Sequence, residues 1–319
     1  MIFICTCSQD GTTNYLLPCL KNEQTFRFNI DKREDYCWDF ARHGFVISNV
    51  KTAESITSKT LSSFYLRKPM FIEDVDIPKG GCLENWCREE MEAVFRDLYS
   101  ECEARNLTAL VRGSSTKYGK LRQMLVAEKY FNVANWHIFH GALPDELKHG
   151  KWVVKSLTGT PIGKGKMLFV KEVDPMKLDL SYPWFLQEKI VGEDEVTVVY
   201  VNGKIFAYRY PRSKINACED VRRGIFEDLS QYNWQLCELS SSEKSSIHGF
   251  MAETGYRFGR FDFIRKKNGE LWFLELNPNG QWAWLDEHNK DGLISTIANA
   301  IIDEDALHRR TAEFRRSSR

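Results

Sequence analysis

The segment of residues 259–286, GRFDFIRKKNGELWFLELNPNGQWAWLD, constrains the fold of this chain more than any other. Aromatic residues alternate with polar ones from Arg260 to Arg265, and Leu271 to Leu276 is a short apolar run. Between the two, Lys267-Asn268-Gly269-Glu270 has the composition of a tight turn. The sequence therefore predicts two antiparallel strands joined by a hairpin.

Three side chains with oxygen donors fall on these strands. Glu275 and Asn277 are two residues apart on the second strand, so they point to the same face, where Asp262 of the first strand can meet them. A small set of hard oxygen donors suits Mg²⁺, which keeps water ligands and takes others from nucleotide phosphates. The spacing predicts a magnesium site, and it leaves open a plain hairpin with one satisfied carboxylate and an Asn-Pro turn.

A longer pattern surrounds these donors, namely FLELNPNGQW at residues 273–282. It resembles the metal-binding end of ATP-grasp ligases, and above all the FLE-x-NP-x-GQ-aromatic run of the graspetide ligases, which mature microviridin-type peptides. The resemblance implies an α/β (α+β) ATP-grasp fold with an N-terminal pre-ATP-grasp α/β domain. It also implies that Asp262, Glu275 and Asn277 hold the Mg²⁺ of ATP.

Composition excludes several classes of protein. The chain has 319 residues, of which 43% are apolar, so it can bury a core of two or three packed units. Lys plus Arg and Asp plus Glu balance at 44 each, so no overall charge attracts nucleic acid or an anionic membrane. No apolar run approaches the length of a bilayer, and the start MIFICTCSQD does not resemble a signal peptide. We therefore expect a cytoplasmic protein without nucleic-acid or membrane partners.

Residues 1–112 are expected to form the N-terminal domain. Strands are predicted near residues 2–6, 26–31, 44–49 and 63–69, and a helix with one buried face near residues 86–106, which together indicate a small, mostly parallel sheet. The domain resembles the pre-ATP-grasp domain of peptide-maturing ligases at Arg27, Asn29, Arg67 and Pro69. The alternative that Arg27 and Arg67 form surface or interdomain ion pairs stays open.

Residues 113–186 are expected to form a central ATP-grasp subdomain with two lysines. Ser114-Ser115-Thr116 could cap a helix whose apolar face contains Leu121, Leu125, Val126 and Ala127. Lys120 lies near its start, where a helix N-terminus favours phosphate. Lys155 lies on a predicted strand. The resemblance implies that both lysines bind ATP phosphates, although Lys117 competes for the first role and a solvated surface lysine is the alternative.

A glycine-rich loop follows Lys155. Three glycines, with Gly163 and Gly165 among them, and two further lysines describe a flap that could close over a triphosphate with its backbone amides. Neither GxxxxGK[ST] nor GxGxxG is present, so a P-loop or a dinucleotide site is a poor interpretation. A glycine-rich hairpin without function remains the alternative.

Residues 187–307 are expected to form the C-terminal subdomain, which contains the metal site. The resemblance implies that residues 187–190 meet adenine and that an acid shortly afterwards binds the ribose, which assigns ATP contacts to Gln187, Glu188, Ile190 and Glu193. Relatives usually have E-x-R-V here, whereas this chain has Glu193-Asp194-Glu195-Val196. The usual arginine is therefore replaced by Glu195, which puts its role in doubt.

Arginines are predicted to act in catalysis. A hairpin turning at Asn202-Gly203 leads to Arg209, Arg212 and Lys214. Residues 220–222, Asp-Val-Arg, resemble the D-[WY]-R triplet whose arginine reaches the reactive phosphate, a role that suits the planar, permanently charged guanidinium. Arg222, Arg212 and Lys155 are thus the expected catalytic residues, with a solvated Arg-rich loop as the alternative. Helices are predicted at residues 242–255 and 292–303, and a solvated or frayed basic tail at residues 308–319.

These patterns together predict an ATP-dependent ligase. The resemblance implies that it activates Asp or Glu side chains of a precursor peptide with a leader segment, and joins them to Ser, Thr or Lys in macrocyclic esters or amides. ATP and Mg²⁺ are the expected cofactors, and a homodimer is the expected assembly. Two alternatives stay open: an ATP-grasp ligase acting on a small molecule or a protein terminus, and a nucleotide-binding scaffold that has lost its chemistry.

Overall fold

A computed structural model describes residues 1–67, 82–110, 119–158, 168, 170–214 and 233–317. Within these ranges the helices are α1 (Gly11–Leu16), α2 (Cys82–Ala104), α3 (Lys120–Ala127), α4 (Ser241–Thr254) and α5 (Leu293–Ser317). The strands are β1 (Ile2–Thr6), β2 (Thr25–Asn29), β3 (Tyr36–Ala41), β4 (Gly44–Asn49), β5 (Ser55–Thr57), β6 (Ser63–Leu66), β7 (Asn132–Val133), β8 (Trp136–Phe139), β9 (Trp152–Lys155), β10 (Lys171–Val173), β11 (Trp184–Glu188), β12 (Asp194–Val201), β13 (Lys204–Pro211), β14 (Gln235–Leu236), β15 (Phe258–Arg265) and β16 (Leu271–Asn277).

The N-terminal unit contains two small sheets rather than one. The predicted parallel sheet is present in the order β2-β1-β6. The predicted strand β4 instead lies in an antiparallel sheet, β3-β4-β5, whose first strand was not predicted. The reason is the two-residue connection between β3 and β4, which is long enough only for an antiparallel hairpin. Helix α2 covers the parallel sheet, with Phe95 stacked on Phe28 at 4.5 Å between ring centroids.

The central unit is a four-stranded antiparallel sheet in the order β10-β9-β11-β8, together with helix α3. Gly119 is the N-cap of α3, and the serines predicted to cap it lie outside the described residues. The predicted apolar face is only partly buried: Val126 and Ala127 are 1% and 0% exposed, whereas Leu121 is 50% and Leu125 44% exposed. Gln123 and Met124 are buried instead, because α3 packs against β16 of the next sheet.

The C-terminal unit is built on a six-stranded sheet in the order β14-β13-β12-β15-β16-β7. The predicted hairpin between β12 and β13 turns at Asn202 and Gly203, whose φ angles of 46° and 91° are those a tight hairpin turn requires. Helix α4 starts at a capping box formed by Ser240 and Glu243. Its Phe250 is fully buried against a cluster of aromatic rings on the sheet and on the segment before β7, namely Tyr130, Phe131, Phe261 and Phe273.

Helix α5 closes the structure and extends to Ser317, so the backbone from residue 308, which was predicted to be a solvated or frayed tail, continues a helix. Acidic residues in its middle make fixed contacts, which a composition-based argument does not anticipate. Glu304 is 3% exposed, pairs with Arg257 and accepts a hydrogen bond of 2.8 Å from the backbone N–H of Leu110. The helix thereby ties the N-terminal unit to the C-terminal sheet. In the part of the chain that the structure describes, no helix combines the length and apolarity needed to cross a membrane.

Candidate metal and nucleotide site

The hairpin of β15 and β16 forms as predicted, and its register places the three predicted metal ligands on one face. Asp262 lies opposite Glu275, and Arg260 lies opposite Asn277. The register shifts just beyond Asp262, where the next pair is Phe263 with Phe273, so β16 has a bulge there. Directly opposed residues of an antiparallel pair share a face, so Asp262, Glu275 and Asn277 converge.

Hydrogen bonds connect these three side chains. The Asn277 Nδ2 donates to Glu275 Oε1 at 2.9 Å and to Asp262 Oδ2 at 3.2 Å. Asp262 Oδ1 also accepts from the Thr197 hydroxyl of β12 at 3.1 Å. The Asn277 amide thus bridges the Asp262 and Glu275 carboxylates. The role of these three side chains as metal ligands stays a prediction.

Arg260 belongs to this site and was missed by the sequence analysis. Its Nη2 donates to Asp262 Oδ2 at 2.8 Å, and its Nη1 donates to the backbone oxygen of Gln281 at 2.9 Å. The period of two in a strand, which places Arg260 on the face of Asp262, was the signal that could have found it. The guanidinium orients the Asp262 carboxylate and joins it to the loop after β16.

Both predicted phosphate lysines reach strand β16. Lys120, the first residue of α3, forms an ion pair with the Glu275 carboxylate. Lys155, the last residue of β9, donates from Nζ to the backbone oxygen of Leu274 at 3.4 Å. The central unit therefore reaches strand β16 at two neighbouring residues: Lys120 pairs with the Glu275 carboxylate, and Lys155 meets the backbone of Leu274.

Residues 187–193, which we call the hinge, lead from the end of β11 to the start of β12 and so connect the two sheets. The hinge has an apolar part and a polar part. Ile190 is 7% exposed and packs in a cluster with Ala134 and Ile264, the latter on the same face of β15 as Asp262. Gln187 is 1% exposed, and its Nε2 has no hydrogen-bond partner among the described residues. Such a buried, unpartnered donor fits a ligand that offers an acceptor.

The two predicted acids of the hinge have different surroundings. Glu188 Oε2 accepts a hydrogen bond of 2.8 Å from Asn135 Nδ2. The side chain of Glu193 is exposed. Its backbone N–H donates to the backbone oxygen of Arg265 at 2.8 Å, and its backbone oxygen accepts from the backbone N–H of Arg212 at 2.7 Å. Their roles toward a nucleotide stay predictions.

Some predicted site residues lie elsewhere or outside the described part of the chain. Gly163, Gly165 and Arg222 are outside the described residues. Arg212 forms an ion pair with Glu195. Glu195 lies opposite Ile264, so this pair occupies the same face of the sheet as Asp262, one row closer to the hinge.

The donor set fits a hard divalent cation. Within the described ranges, no group of three or more His, Cys, Asp or Glu side chains is arranged to hold a metal ion. A metal on this hairpin would therefore be held by two carboxylates together with the Asn277 amide oxygen, with water or phosphate oxygens completing the shell. That limited set of protein oxygens is typical of Mg²⁺ sites and atypical of zinc sites.

Sequence comparison alone does not classify the chain. No protein-family model matches it, and no curated protein matches it by sequence. Its structure does: the chain has the ATP-grasp fold. One match is D-alanine–D-alanine ligase from Bacillus anthracis, solved with ATP, with a TM-score of 0.54 at 14% sequence identity. The match covers 97% of this chain and 98% of that enzyme's chain.

The similarity is greater to ATP-grasp enzymes of peptide maturation. The RiPP-associated ATP-grasp ligase of Chryseobacterium gregarium, in complex with ADP and a leader and core peptide, gives a TM-score of 0.77 at 20% identity, covering 95% of this chain and 96% of its own. The macrocyclase MdnC of Microcystis aeruginosa, bound with the precursor peptide MdnA, gives a TM-score of 0.76 at 18% identity, covering 95% of this chain and 99% of its own. These matches confirm the predicted fold over nearly the whole chain.

Proposed function

We propose that this protein is an ATP-dependent carboxylate ligase that forms macrocycles in a ribosomally made precursor peptide. It would activate Asp or Glu side chains and join them to Ser or Thr hydroxyls or to Lys amines, giving ω-esters or ω-amides. The observation that carries the proposal is the meeting of Lys120 and Lys155 with the Asp262, Glu275 and Asn277 cluster on one face between two sheets.

The chemistry of such a ligase explains this set of residues. A free carboxylate resists attack because its oxygen is a poor leaving group. Transfer of the terminal phosphoryl group of ATP to the carboxylate releases ADP and gives an acyl phosphate. The hydroxyl or amine then attacks the acyl carbon, loses its proton and expels phosphate. Both steps require that negative charge be neutralised, and neither requires a protein nucleophile.

Each group of the site has a place in this scheme. Lys120 and Lys155 would hold phosphate oxygens, and Asp262, Glu275 and Asn277 would hold Mg²⁺, which when bound neutralises charge on the transferring phosphoryl group. Arg260 would keep the Asp262 carboxylate oriented. Arg212 and Arg222 are proposed to act near the reacting phosphate.

The hinge would bind the nucleoside. Ile190 and Ile264 offer an apolar surface for adenine, and the unpartnered Nε2 of Gln187 offers a donor to one of its ring nitrogens. Glu188 and Glu193 are proposed to contact the nucleoside, with Glu193 on the ribose. Gly163 and Gly165 would belong to a flap over the phosphates.

The peptide substrate is supported by similarity. Structures solved with leader, core or precursor peptides match 95% of this chain. We propose a precursor peptide with a leader segment as the partner, a homodimer as the assembly and the cytoplasm as the location.

A small-molecule ligase is the competing function. Glu195 paired with Arg212 changes a position where peptide-maturing relatives usually have arginine, and the fold is shared with an enzyme that joins two alanines. This alternative predicts ADP formation with free amino acids and no change in any peptide.

The test is the intact mass of short peptides encoded beside the gene, after incubation with the protein, ATP and Mg²⁺, with ADP measured in the same sample. The proposal predicts loss of one water per bond, matched by one ADP. Unchanged peptide masses with ADP formed only from amino-acid mixtures would favour the competing function. Nucleotide binding without ADP from either source would indicate a scaffold.

A further inference from the structure

We propose that Arg67, a residue of the N-terminal unit, positions the predicted metal ligand Asn277 by holding the loop that follows it. We call residues 277–282 the metal loop. This inference rests on the proposed function of the site. It assigns to the N-terminal unit a direct part in nucleotide-dependent chemistry, although none of the predicted metal or ATP residues lies in that unit.

Arg67 contacts the metal loop through two short hydrogen bonds to one residue. Its Nη1 donates to the backbone oxygen of Asn279 and to Asn279 Oδ1, both at 2.6 Å. Asn279 in turn donates from Nδ2 to the backbone oxygen of Leu66 at 3.3 Å. Three hydrogen bonds thus join residues 66 and 67 to a single residue of the loop. Both bonds of Arg67 to Asn279 leave Nη1, while Nη2 donates to the Thr12 hydroxyl at 3.3 Å and Nε faces Asp10. The planar guanidinium thus serves three partners at once, which the single nitrogen of a lysine ammonium does less well.

The charge of Arg67 is buried and matched. The side chain is 0% exposed, and its Nε lies 3.7 Å from Asp10 Oδ2. That Asp10 oxygen is fixed by the hydroxyls of Thr6 and Thr13, at 3.0 and 2.5 Å. Burying a charge is costly unless it is paired and hydrogen-bonded. The N-terminal unit therefore supplies a carboxylate to support Arg67, while the shortest bonds of the guanidinium go to the other unit.

Movement of Asn279 would be transmitted to Asn277, because the metal loop has little freedom. The N–H of Gly280 donates to the backbone oxygen of Asn277 at 3.0 Å, which closes a tight turn. Beyond the turn, Trp282 is 0% exposed and is anchored in the core that both units share. The C-terminal sheet holds the loop at Gln281 through Arg260, and the N-terminal unit holds it at Asn279 through Arg67. With its far end fixed and its turn closed, a shift of Asn279 therefore has to be taken up by Asn277.

Two variants and one matched control test the proposal. Arg67→Lys keeps the charge that Asp10 requires but leaves one nitrogen to serve Asp10, Thr12 and Asn279 together. Asn279→Ala removes the side-chain half of the contact while Arg67 stays in place. The control is Glu304→Gln, which weakens another buried contact between the same units without touching the metal loop. The measurements are Mn²⁺ affinity in the presence of ADP, by electron paramagnetic resonance, and the thermal unfolding midpoint of each variant.

We expect Mn²⁺ to bind about 10- to 100-fold more weakly to both variants, as is typical when a residue that orients a metal ligand is lost. Glu304→Gln should lower the unfolding midpoint and leave Mn²⁺ affinity unchanged. If Arg67→Lys does not fold, Asn279→Ala decides. Wild-type Mn²⁺ affinity in Asn279→Ala, or an equal loss of affinity in Glu304→Gln, would overturn the inference. If the wild-type protein bound no Mn²⁺ with ADP, the proposed function itself would fail, and the inference with it.

Discussion

Replacing Gly280 by alanine should disturb the metal site through the backbone alone. A Cβ atom at this position would lie 2.9 Å from Arg260 Cβ, 3.0 Å from Asn277 Cβ and 3.3 Å from the Asn277 backbone oxygen. These atoms are on or next to the main chain and cannot rotate away. Relief therefore requires a shift of Asn277 or Arg260. Overpacking of this kind costs about 1–3 kcal/mol of unfolding free energy.

The effect on activity should exceed the effect on stability. The two residues that must move are a predicted metal ligand and the arginine that orients Asp262, and a misplacement of about 1 Å can lower a rate by about 100-fold. We expect the rate of ADP formation to fall at least about tenfold. Because the displaced residues hold the predicted metal, high Mg²⁺ should restore the larger part of the lost rate.

The assay compares Gly280→Ala with Gly11→Ala in urea unfolding and in ADP formation at several Mg²⁺ concentrations. A Cβ atom added to Gly11 would meet no heavy atom within 4 Å, and this residue begins helix α1, so its substitution should change stability by less than about 0.5 kcal/mol. If Gly280→Ala had wild-type stability and wild-type Mg²⁺ dependence, the argument that residues 277–282 have no room for a Cβ atom at position 280 would be refuted.

Three further predictions concern the site and the core. Asp262→Asn and Glu275→Gln should abolish ATP-dependent turnover with the far-ultraviolet circular dichroism unchanged, and an active variant would contradict the metal assignment. Lys155→Met should raise the KM for ATP or abolish turnover, because it removes a phosphate-binding charge, and unaltered ATP kinetics would exclude that role. Phe250→Ala should lower the unfolding free energy by about 3–5 kcal/mol, since it empties the centre of an aromatic cluster; a loss below about 1 kcal/mol in urea unfolding would contradict this packing.

The hairpin of β15 and β16 could be predicted from the sequence because its determinants are local. Alternation along the strand, the turn at residues 267–270 and the two-residue spacing of Glu275 and Asn277 all act within one stretch of chain. The same holds for the hairpin at Asn202 and Gly203, where the turn residues match the backbone angles. Lys155 was placed by its strand together with the family resemblance.

Other features depend on partners far away in the sequence. The buried face of α3 is set by its contact with β16, so Leu121 and Leu125 are exposed although the helical pattern favoured them for the core. Arg67 and Asn279 are 212 positions apart, and nothing local to either residue indicates the contact. Helix α5 continues past residue 308, and its Glu304 meets Leu110 of the N-terminal unit, which the polar composition of this stretch does not reveal.

The most direct test of the central claim is a crystal structure of the protein with ADP and Mn²⁺, using anomalous scattering to locate the metal. The account predicts an anomalous peak within about 2.5 Å of oxygens from Asp262, Glu275 and Asn277, with Lys120 and Lys155 on the nucleotide phosphates. Nucleotide bound away from the lysines, or a metal peak that does not touch this hairpin, would contradict the account.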